Sequence, residues 1–276
     1  MNDLVSVIIP TRNSGELLEN CLKSVRQQTH KNIEIIVVDG RSTDNTIDIA
    51  RKYGCKVYFF VPKVKKGLFD ATEKRNFGAK KATGEFIYFL DADMEIVKNV
   101  ISEALDECRK GFDEIVIPED SFGKGPWARA KNLERRFYLG DDTVESPRFF
   151  RKKSWIELGG YDENIAGGGD DRDLYQKALE GKHKIGRIKS LAMNNEGNLQ
   201  LINLLKKQFM YKREVLKYIR KRPLASIKGY FPIRRSHIIN WRMFTSRPKD
   251  TFFFVIMKTG EVIASISGML YSLVKK

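Results

Sequence analysis

The 276-residue chain has only three cysteines, three histidines and eight prolines. Cys21, Cys55 and Cys108 are odd in number and widely spaced, which excludes a disulfide framework or a paired-cysteine metal knuckle and favours a reducing compartment. Also absent are the strings G-x-G-x-x-G, H-E-x-x-H, G-x-S-x-G and the Walker loop. With them go the ordinary signals of dinucleotide oxidoreductases, zinc peptidases, serine hydrolases and P-loop ATPases. The opening MNDLVSVIIPTRN lacks a basic stretch leading into a long apolar run and a small-residue cleavage site, so it predicts a first strand rather than a signal peptide. Glycine and proline together number 29, while 42% of residues are hydrophobic and 31% charged. That balance excludes a disordered or fibrous chain, and the length suffices for a large α/β domain with an appendage.

What is present begins with buried-strand runs alternating with helical periodicity. LVSVIIP (4–10), IEIIVVD (33–39), VYFFVP (57–62), EFIYFLD (85–91) and EIVIP (114–118) predict five strands. Leu17, Leu18, Cys21, Leu22 and Val25 share one helical face after the first strand. A second helix is expected to end near Tyr53, with Ser42 or Thr43 as its cap, and others near 71–82 and 97–109. Strands alternating with helices predict an α/β fold with a mostly parallel, doubly covered central sheet. Its ligand is expected beyond the carboxyl ends of the strands, where helix amino termini converge.

Carboxylates occupy that edge. Asp39 closes one predicted strand, and Asp91 and Asp93 close another in FLDADME. Two aspartates two residues apart can address one divalent ion, and hard oxygen donors suit Mg2+ or Mn2+ with room left for substrate phosphates. Acidic residues at strand ends also form solvated turns, so D-x-D alone leaves both readings open.

The wider combination resembles family 2 glycosyltransferases of the GT-A fold. It is carried by VSVIIPTRN, EIIVVDGRSTDNT, KRNFGAKKATGEFIYFLDADM and GYDENIAGGGDDRDLYQKALEG, in the family's order over about residues 4–182. The resemblance implies that Pro10, Thr11, Arg12 and Asn13 form a nucleotide-contacting loop, with Asp39 near the base or ribose. It places Arg75 by the donor diphosphate, where arginine offers a planar fork, and Asp91 and Asp93 at the metal, Asp91 also beside the donor. Asp171 is implied as the base, with Asp170, at the family's usual Glu position, as the alternative. An acid there also suits a helix amino terminus, so capping is the plainer account of either residue. Many relatives carry H-x-E-G downstream, whereas this chain reads Asn194, Asn195, Glu196, Gly197, so Asn194 offers an amide oxygen in place of an imidazole as a third ligand. His30, His183 and His237 stand elsewhere and are expected to be exposed or structurally bonded. Gly78 and Gly84 are expected to relieve crowding near helix ends.

The function so implied is inverting, metal-dependent transfer of a sugar from a nucleotide-diphospho-sugar, GDP-mannose being one donor, to a lipid-linked or polyprenyl-phosphate acceptor. Polysaccharide or protein-glycan extension is the enzymatic alternative, although the QxxRW of processive relatives is absent. A nonenzymatic nucleotide-sugar sensor or membrane scaffold is the alternative of another class.

Charge locates the partner surface. The net charge is +15, yet residues 200–250 hold 14 Lys and Arg against Glu214 and Asp250, and the first 199 residues are nearly neutral. The expected division is therefore a catalytic domain over 1–199 and a basic, membrane-associating region over 200–276. Within the latter, Leu204, Tyr211, Val215 and Tyr218 share a face, while Lys206, Lys207, Lys212, Arg213 and Lys217 supply cations. Arg220, Lys221, Arg222, Arg234 and Arg235 would draw anionic headgroups, with Phe231, Trp241, Phe244 and Phe252 to Phe254 as interfacial anchors. Nucleic acid is the weaker partner for this basic region. Lys258 and Glu261 interrupt the apolar tail, which predicts two short elements, an interfacial helical hairpin or a β-hairpin turned at KTG rather than a membrane span. The cytoplasmic membrane face is the expected location, with peripheral or monotopic attachment, and a soluble cytoplasmic protein is the alternative.

Overall fold

The computed structural model describes residues 3–62, 70–165, 169–230 and 234–274. The chain opens as β1 (Val5–Thr11), α1 (Gly15–Arg26), β2 (Ile33–Asp39), α2 (Thr46–Lys52), β3 (Lys56–Phe59), α3 (Ala71–Lys81) and β4 (Phe86–Phe89). It continues through β5 (Met94–Ile96), α4 (Val100–Arg109), β6 (Glu114–Val116), β7 (Glu119–Lys124) and α5 (Gly125–Tyr138). Next come β8 (Phe149–Arg151), α6 (Lys152–Glu157), α7 (Asp170–Glu180), β9 (Ile185–Arg187) and β10 (Ala192–Asn198). The remainder is helical: α8 (Leu201–Lys221), α9 (Pro223–Tyr230), α10 (Arg235–Ile239), α11 (Arg242–Ser246) and α12 (Pro248–Val274).

Two compact units emerge, and they interleave in sequence instead of dividing at residue 199. The first comprises 1–118, 146–163 and 174–194; the second comprises 119–145, 164–173 and 195–276.

The first unit is built on a seven-stranded sheet of order β3-β2-β1-β4-β8-β6-β9. Its pairs are parallel except where β8 runs against β4 and β6. The continuous apolar runs arise because both faces are covered. Along β1, Val5, Val7 and Ile9 pack with Leu18, Leu22 and Val25 of α1 and with α4, while Ile8 turns to the opposite face with Ile36, Val38, Phe89 and Trp155. This two-residue alternation fixes which strand ends face which loop. Gly78 of α3 lets that helix lie on β1, since a Cβ there would stand 2.5 Å from Ile8 Cγ2.

The α2 cap differs from expectation. Its first-turn amide at Thr46 donates to Asp44 Oδ1 at 3.1 Å, because Ser42 is engaged by Asp39.

The second unit centres on α5, α8 and α12. Ala130, Leu133 and Phe137 of α5 bury against Phe254 and Met257 of α12, with Leu204, Met243 and Phe244 packed around them. The apolar face of α8 therefore goes inward, Val215 and Tyr218 being buried, and does not form the exposed membrane-facing surface expected of it. Lys212 likewise lines an interior cavity, not a solvated face. Among the expected anchors, Phe244, Phe253 and Phe254 join this core, Phe252 and Trp241 are exposed, and Phe231 lies outside the described residues.

The tail is neither a hairpin nor two short elements. α12 is one helix of 27 residues through KTG, long and apolar enough by length and composition to cross a membrane. Lys258 and Glu261 do not break it because they fall one turn apart and pair at 2.6 Å, while Lys258 also donates to Glu134 at 2.6 Å. Burial opposes ionisation of Glu134, but Lys131 and Lys258 outweigh it and hold that carboxyl well below the usual range.

Candidate active site

At the carboxyl edge of the first unit's sheet, Thr11 and Asp39 are register partners. Thr11 Oγ1 donates to Asp39 Oδ1 at 3.0 Å, and the Ser42 amide and hydroxyl donate to Asp39 at 2.8 and 2.5 Å. The carboxylate of Asp39 is thus wholly buried and forms an Asx-type turn. Asn13 adopts φ 49°, a left-handed conformation asparagine tolerates, and this lets it reach across. Its amide donates to Ser42 Oγ at 2.8 Å, and its Oδ1 accepts from the Thr43 amide at 2.8 Å. Pro10 is half-buried and Arg12 exposed, so the clasped loops present Arg12 to solvent at their rim.

Helix α3 supplies the charge. Thr72, Glu73, Lys74, Arg75 and Asn76 are all buried, an unusual content for a helix that lies on a sheet. Lys74 Nζ pairs with Asp70 at 2.9 Å and donates to the Thr11 carbonyl at 2.9 Å. Gly40 leaves it room, since a Cβ there would stand 2.4 Å from Lys74 Nζ and the lysine would have to shift. Arg75 Nη2 donates to Asp91 Oδ1 at 2.6 Å, and its guanidinium lies 5.7 Å from the centre of the Tyr161 ring. Arg148 Nη1 approaches Asp91 Oδ2 at 3.2 Å, so each oxygen of Asp91 meets a different arginine. Asn76 fixes the Tyr161 backbone from both sides, donating to its carbonyl at 2.9 Å and accepting from its amide at 3.1 Å.

Lys74, Asn76, Arg148 and Tyr161 were not expected here. The α3 residues had a signal, a helical segment with polar residues where an apolar stripe belongs. Arg148 had none, because only the antiparallel insertion of β8 beside β4 brings it to Asp91.

The D-x-D turn is tight: the Met94 amide donates to the Asp91 carbonyl at 3.0 Å. Beneath it lies Cys21, whose Sγ faces the Asp91 carbonyl at 3.7 Å. Burial, and then the charges of Asp93 and Asp91, push that thiol well up, so it is an inert thiol at neutral pH. Asn194 pairs across β10 with Met94 of β5, beside Asp93 in sequence. The register of β10 on β5 thus brings Asn194 next to the turn that carries Asp91 and Asp93, and two carboxylates with an amide oxygen would suit a hard divalent cation. Among the described residues no three His, Cys, Asp or Glu side chains gather as a metal cluster.

Asp170 and Asp171 open α7 and belong to the second unit, Asp170 buried and Asp171 half-buried. Gly167 and Gly168 of the preceding glycine run lie outside the described residues. Asp173, one turn on and fully buried, accepts from Lys221 at 2.9 Å and Arg222 at 3.0 Å, which ties α7 to the end of α8. The histidines are structural. His183 Nδ1 meets Glu114 and Ser154, His30 Nε2 meets the Asp3 carbonyl, and His237 packs edge-on to Phe137.

Comparison with known proteins matches residues 6–220 to the profile of Glycosyl transferase family 2. The glycosyltransferase GlyG of Streptococcus pneumoniae is 32% identical over 117 residues, covering 42% of this chain and 39% of that protein. The GalNAc(5)-diNAcBac-PP-undecaprenol beta-1,3-glucosyltransferase of Campylobacter jejuni is 32% identical over 177 residues, 59% of this chain and 56% of that one. This chain thus spans roughly two-fifths to just over half of these relatives. The mannosyltransferase PcManGT from Pyrobaculum calidifontis, solved with GDP-Man and Mn2+, superposes with a TM-score of 0.66 over 99% of this chain and 88% of its own, at 15% identity. The fold is that of GT-A glycosyltransferases.

Proposed function

Since the chain belongs to glycosyl transferase family 2, we propose that it transfers a sugar from a nucleotide-diphospho-sugar to a lipid-linked acceptor, with inversion at the anomeric carbon. The observation that carries this reading is the carboxylate of Asp91 held between Arg75 and Arg148 at the carboxyl end of β4. Paired guanidinium groups suit the oxygens of a diphosphate, and charge that grows on the leaving group is what a preorganised cationic site stabilises. Pro10, Thr11, Arg12, Asn13 and Asp39 form the nucleotide end, Asp39 by pinning the two loops. Asp91, Asp93 and Asn194 would hold Mn2+ or Mg2+, which would neutralise charge on the diphosphate when bound.

In the transfer the acceptor oxygen bonds to the anomeric carbon as the bond from that carbon to the diphosphate oxygen breaks. Asp171 takes the proton of a hydroxyl acceptor, with Asp170 as its alternative. A phosphate acceptor, whose second pKa is about 6, arrives ionised and needs alignment more than proton removal. Replacement D171N is therefore expected to lower kcat by about 10²–10⁴-fold with a sugar hydroxyl acceptor and by less with a lipid phosphate, as single-turnover rates would record. Unchanged rates with both acceptors would remove Asp171 from the mechanism.

GDP-mannose is the first donor to test, supported by the complex of the Pyrobaculum calidifontis structural neighbour, and a lipid-linked acceptor is supported by the Campylobacter relative's name. The basic region 200–276 holds the enzyme at the cytoplasmic membrane face. The deciding experiment incubates the full chain with Mn2+ or Mg2+, a panel of nucleotide-diphospho-sugars and extracted membrane lipids, and weighs the lipids. A lipid heavier by one sugar, with free nucleotide diphosphate, is expected. Reversible donor binding without any glycosylated product would instead mean a sensor.

A further inference from the structure

The two oxygens of Asp91 are not held alike. Oδ1 accepts from Arg75 Nη2 at 2.6 Å, and that arginine is carried on α3, its side chain 7% exposed and set 5.7 Å from the centre of the Tyr161 ring. Oδ2 faces Arg148 Nη1 at 3.2 Å, and the Arg148 side chain is 14% exposed. Asp91 is itself 27% exposed, so solvent reaches the carboxylate. The pair with Arg148 is the longer and the more open to water, and of the two it is the easier to break.

The backbone of Arg148 is fixed where its side chain is long. Its amide donates to the Ile115 carbonyl at 3.2 Å and its carbonyl accepts from the Phe89 amide at 2.9 Å, which stations the residue between β4 and β6 just ahead of β8. Rotation about its side-chain bonds can therefore carry the guanidinium away from Asp91 without disturbing the sheet. The same carboxylate would have to serve the divalent cation that Asp91, Asp93 and Asn194 suit. A guanidinium and a divalent cation drawn to one oxygen repel each other, so the ion pair and metal ligation compete at Oδ2.

We propose that Arg148 is a latch on the metal site, which yields Asp91 Oδ2 to a divalent cation and turns its guanidinium to the donor diphosphate. Arg75 stays on Oδ1 and keeps the carboxylate aimed. Metal and nucleotide are thereby coupled through one side chain, and the coupling acts equally in both directions. This latch rests on the nucleotide-diphospho-sugar reading above and adds the residue that links its two ligands.

Two binding measurements on the full chain test it without turnover: Mn2+ affinity in the absence of nucleotide, from the EPR signal of free Mn2+, and equilibrium dialysis of a panel of nucleoside diphosphates in EDTA or in saturating Mn2+. R148M is expected to bind Mn2+ alone about tenfold or more tightly than the parent, the scale of one charge-assisted hydrogen bond. Loss of a nearby positive charge would by itself tighten Mn2+, so the nucleotide arms decide. In Mn2+, R148M is expected to bind the nucleoside diphosphate about tenfold or more weakly than the parent, and in EDTA to stay within about threefold of it, because there the parent's arginine is engaged by Asp91. Should thermal melts show that R148M loses its fold, R148K carries the same comparison with a smaller change in the same direction, since an ammonium keeps the charge without the fork. Equal weakening in EDTA and in Mn2+ overturns the latch, because the arginine would then meet the diphosphate with or without metal. Unchanged Mn2+ affinity overturns it too. No binding of any nucleoside diphosphate to the parent in Mn2+ sinks the donor reading and the diphosphate half of the latch with it, whereas parent-like nucleotide binding by R148M in both conditions sinks the latch alone.

Discussion

Asp91 takes a guanidinium on each carboxylate oxygen, and one of the two, Arg75, is itself buried. Removing its charge while keeping its shape leaves two like-charged neighbours without the anion between them, a change felt in stability as well as chemistry. D91N is expected to lower kcat/KM by about 10²–10³-fold and to destabilise the fold by about 1–3 kcal/mol. Steady-state rates over a Mn2+ titration, with a denaturant melt in parallel, would check both. A variant that loses stability but turns over normally would reduce Asp91 to a structural ion-pair partner. Lys74 is tied in the same way to Asp70 and the Thr11 carbonyl, so the end of β1 and the Asp91 edge share one buried helix.

At the scale of elements, α12 and α8 approach as closely as glycine permits. A Cβ on Gly268 would stand 2.4 Å from the Phe209 carbonyl oxygen, and one on Gly260 would meet Leu205 at 3.0 Å. G268V must therefore part the two helices, and overpacking of this kind costs about 1–3 kcal/mol. A urea midpoint lowered in proportion is the expected result, with a smaller loss for G260A because the Leu205 side chain has room to turn. An unchanged midpoint for G268V would mean the helices part without cost. This contact also explains what the sequence hid. The strands β1, β2 and β4 were legible because both faces of the sheet are covered, which makes them continuous apolar runs, and Asp39, Asp91 and Asp93 followed as the residues that end them. The three-residue strands β5, β8 and β9 carry too little pattern to be seen. Lys258 and Glu261 looked like breaks in α12 because their partners Glu134 and Lys131 stand more than a hundred residues away in sequence.

For the whole molecule, acid is the first stress that the charges oppose. Burial raises the Glu34 carboxyl, but Lys56, Ser6 and Thr83 outweigh it and bring it from 4.5 to about 2. A depressed folded value means the stabilisation is complete above about pH 4.5 and is lost as pH falls toward 2. E34Q is expected to remove about 1–2 kcal/mol at pH 7, after allowance for screening, and to flatten the slope of stability between those limits. Melts at pH 6, 4 and 3 would read it.

The second whole-molecule property is the coexistence of a basic region with an uncovered apolar stripe. Residues 200–250 carry an excess of 12 positive charges, while Phe252, Val255, Ile263 and Leu270 are each more than half exposed on α12. Charge alone predicts binding to anionic vesicles that salt reverses, whereas the stripe adds about 1.5–3 kcal/mol for each large side chain fully buried in lipid. The combined variant F252S/I263S/L270S is therefore expected to bind vesicles containing anionic phospholipid at least about a hundredfold more weakly than the parent, even in low salt. Ending the chain at residue 199 would be a poorer test, because it strips Phe254 and Met257 from Phe137 and exposes the core of the second unit. Flotation of the intact protein and the triple variant, each with neutral and anionic vesicles, separates the contributions. Equal flotation of the two proteins would leave the stripe no part in membrane binding, and flotation of neither would take the enzyme off the membrane altogether.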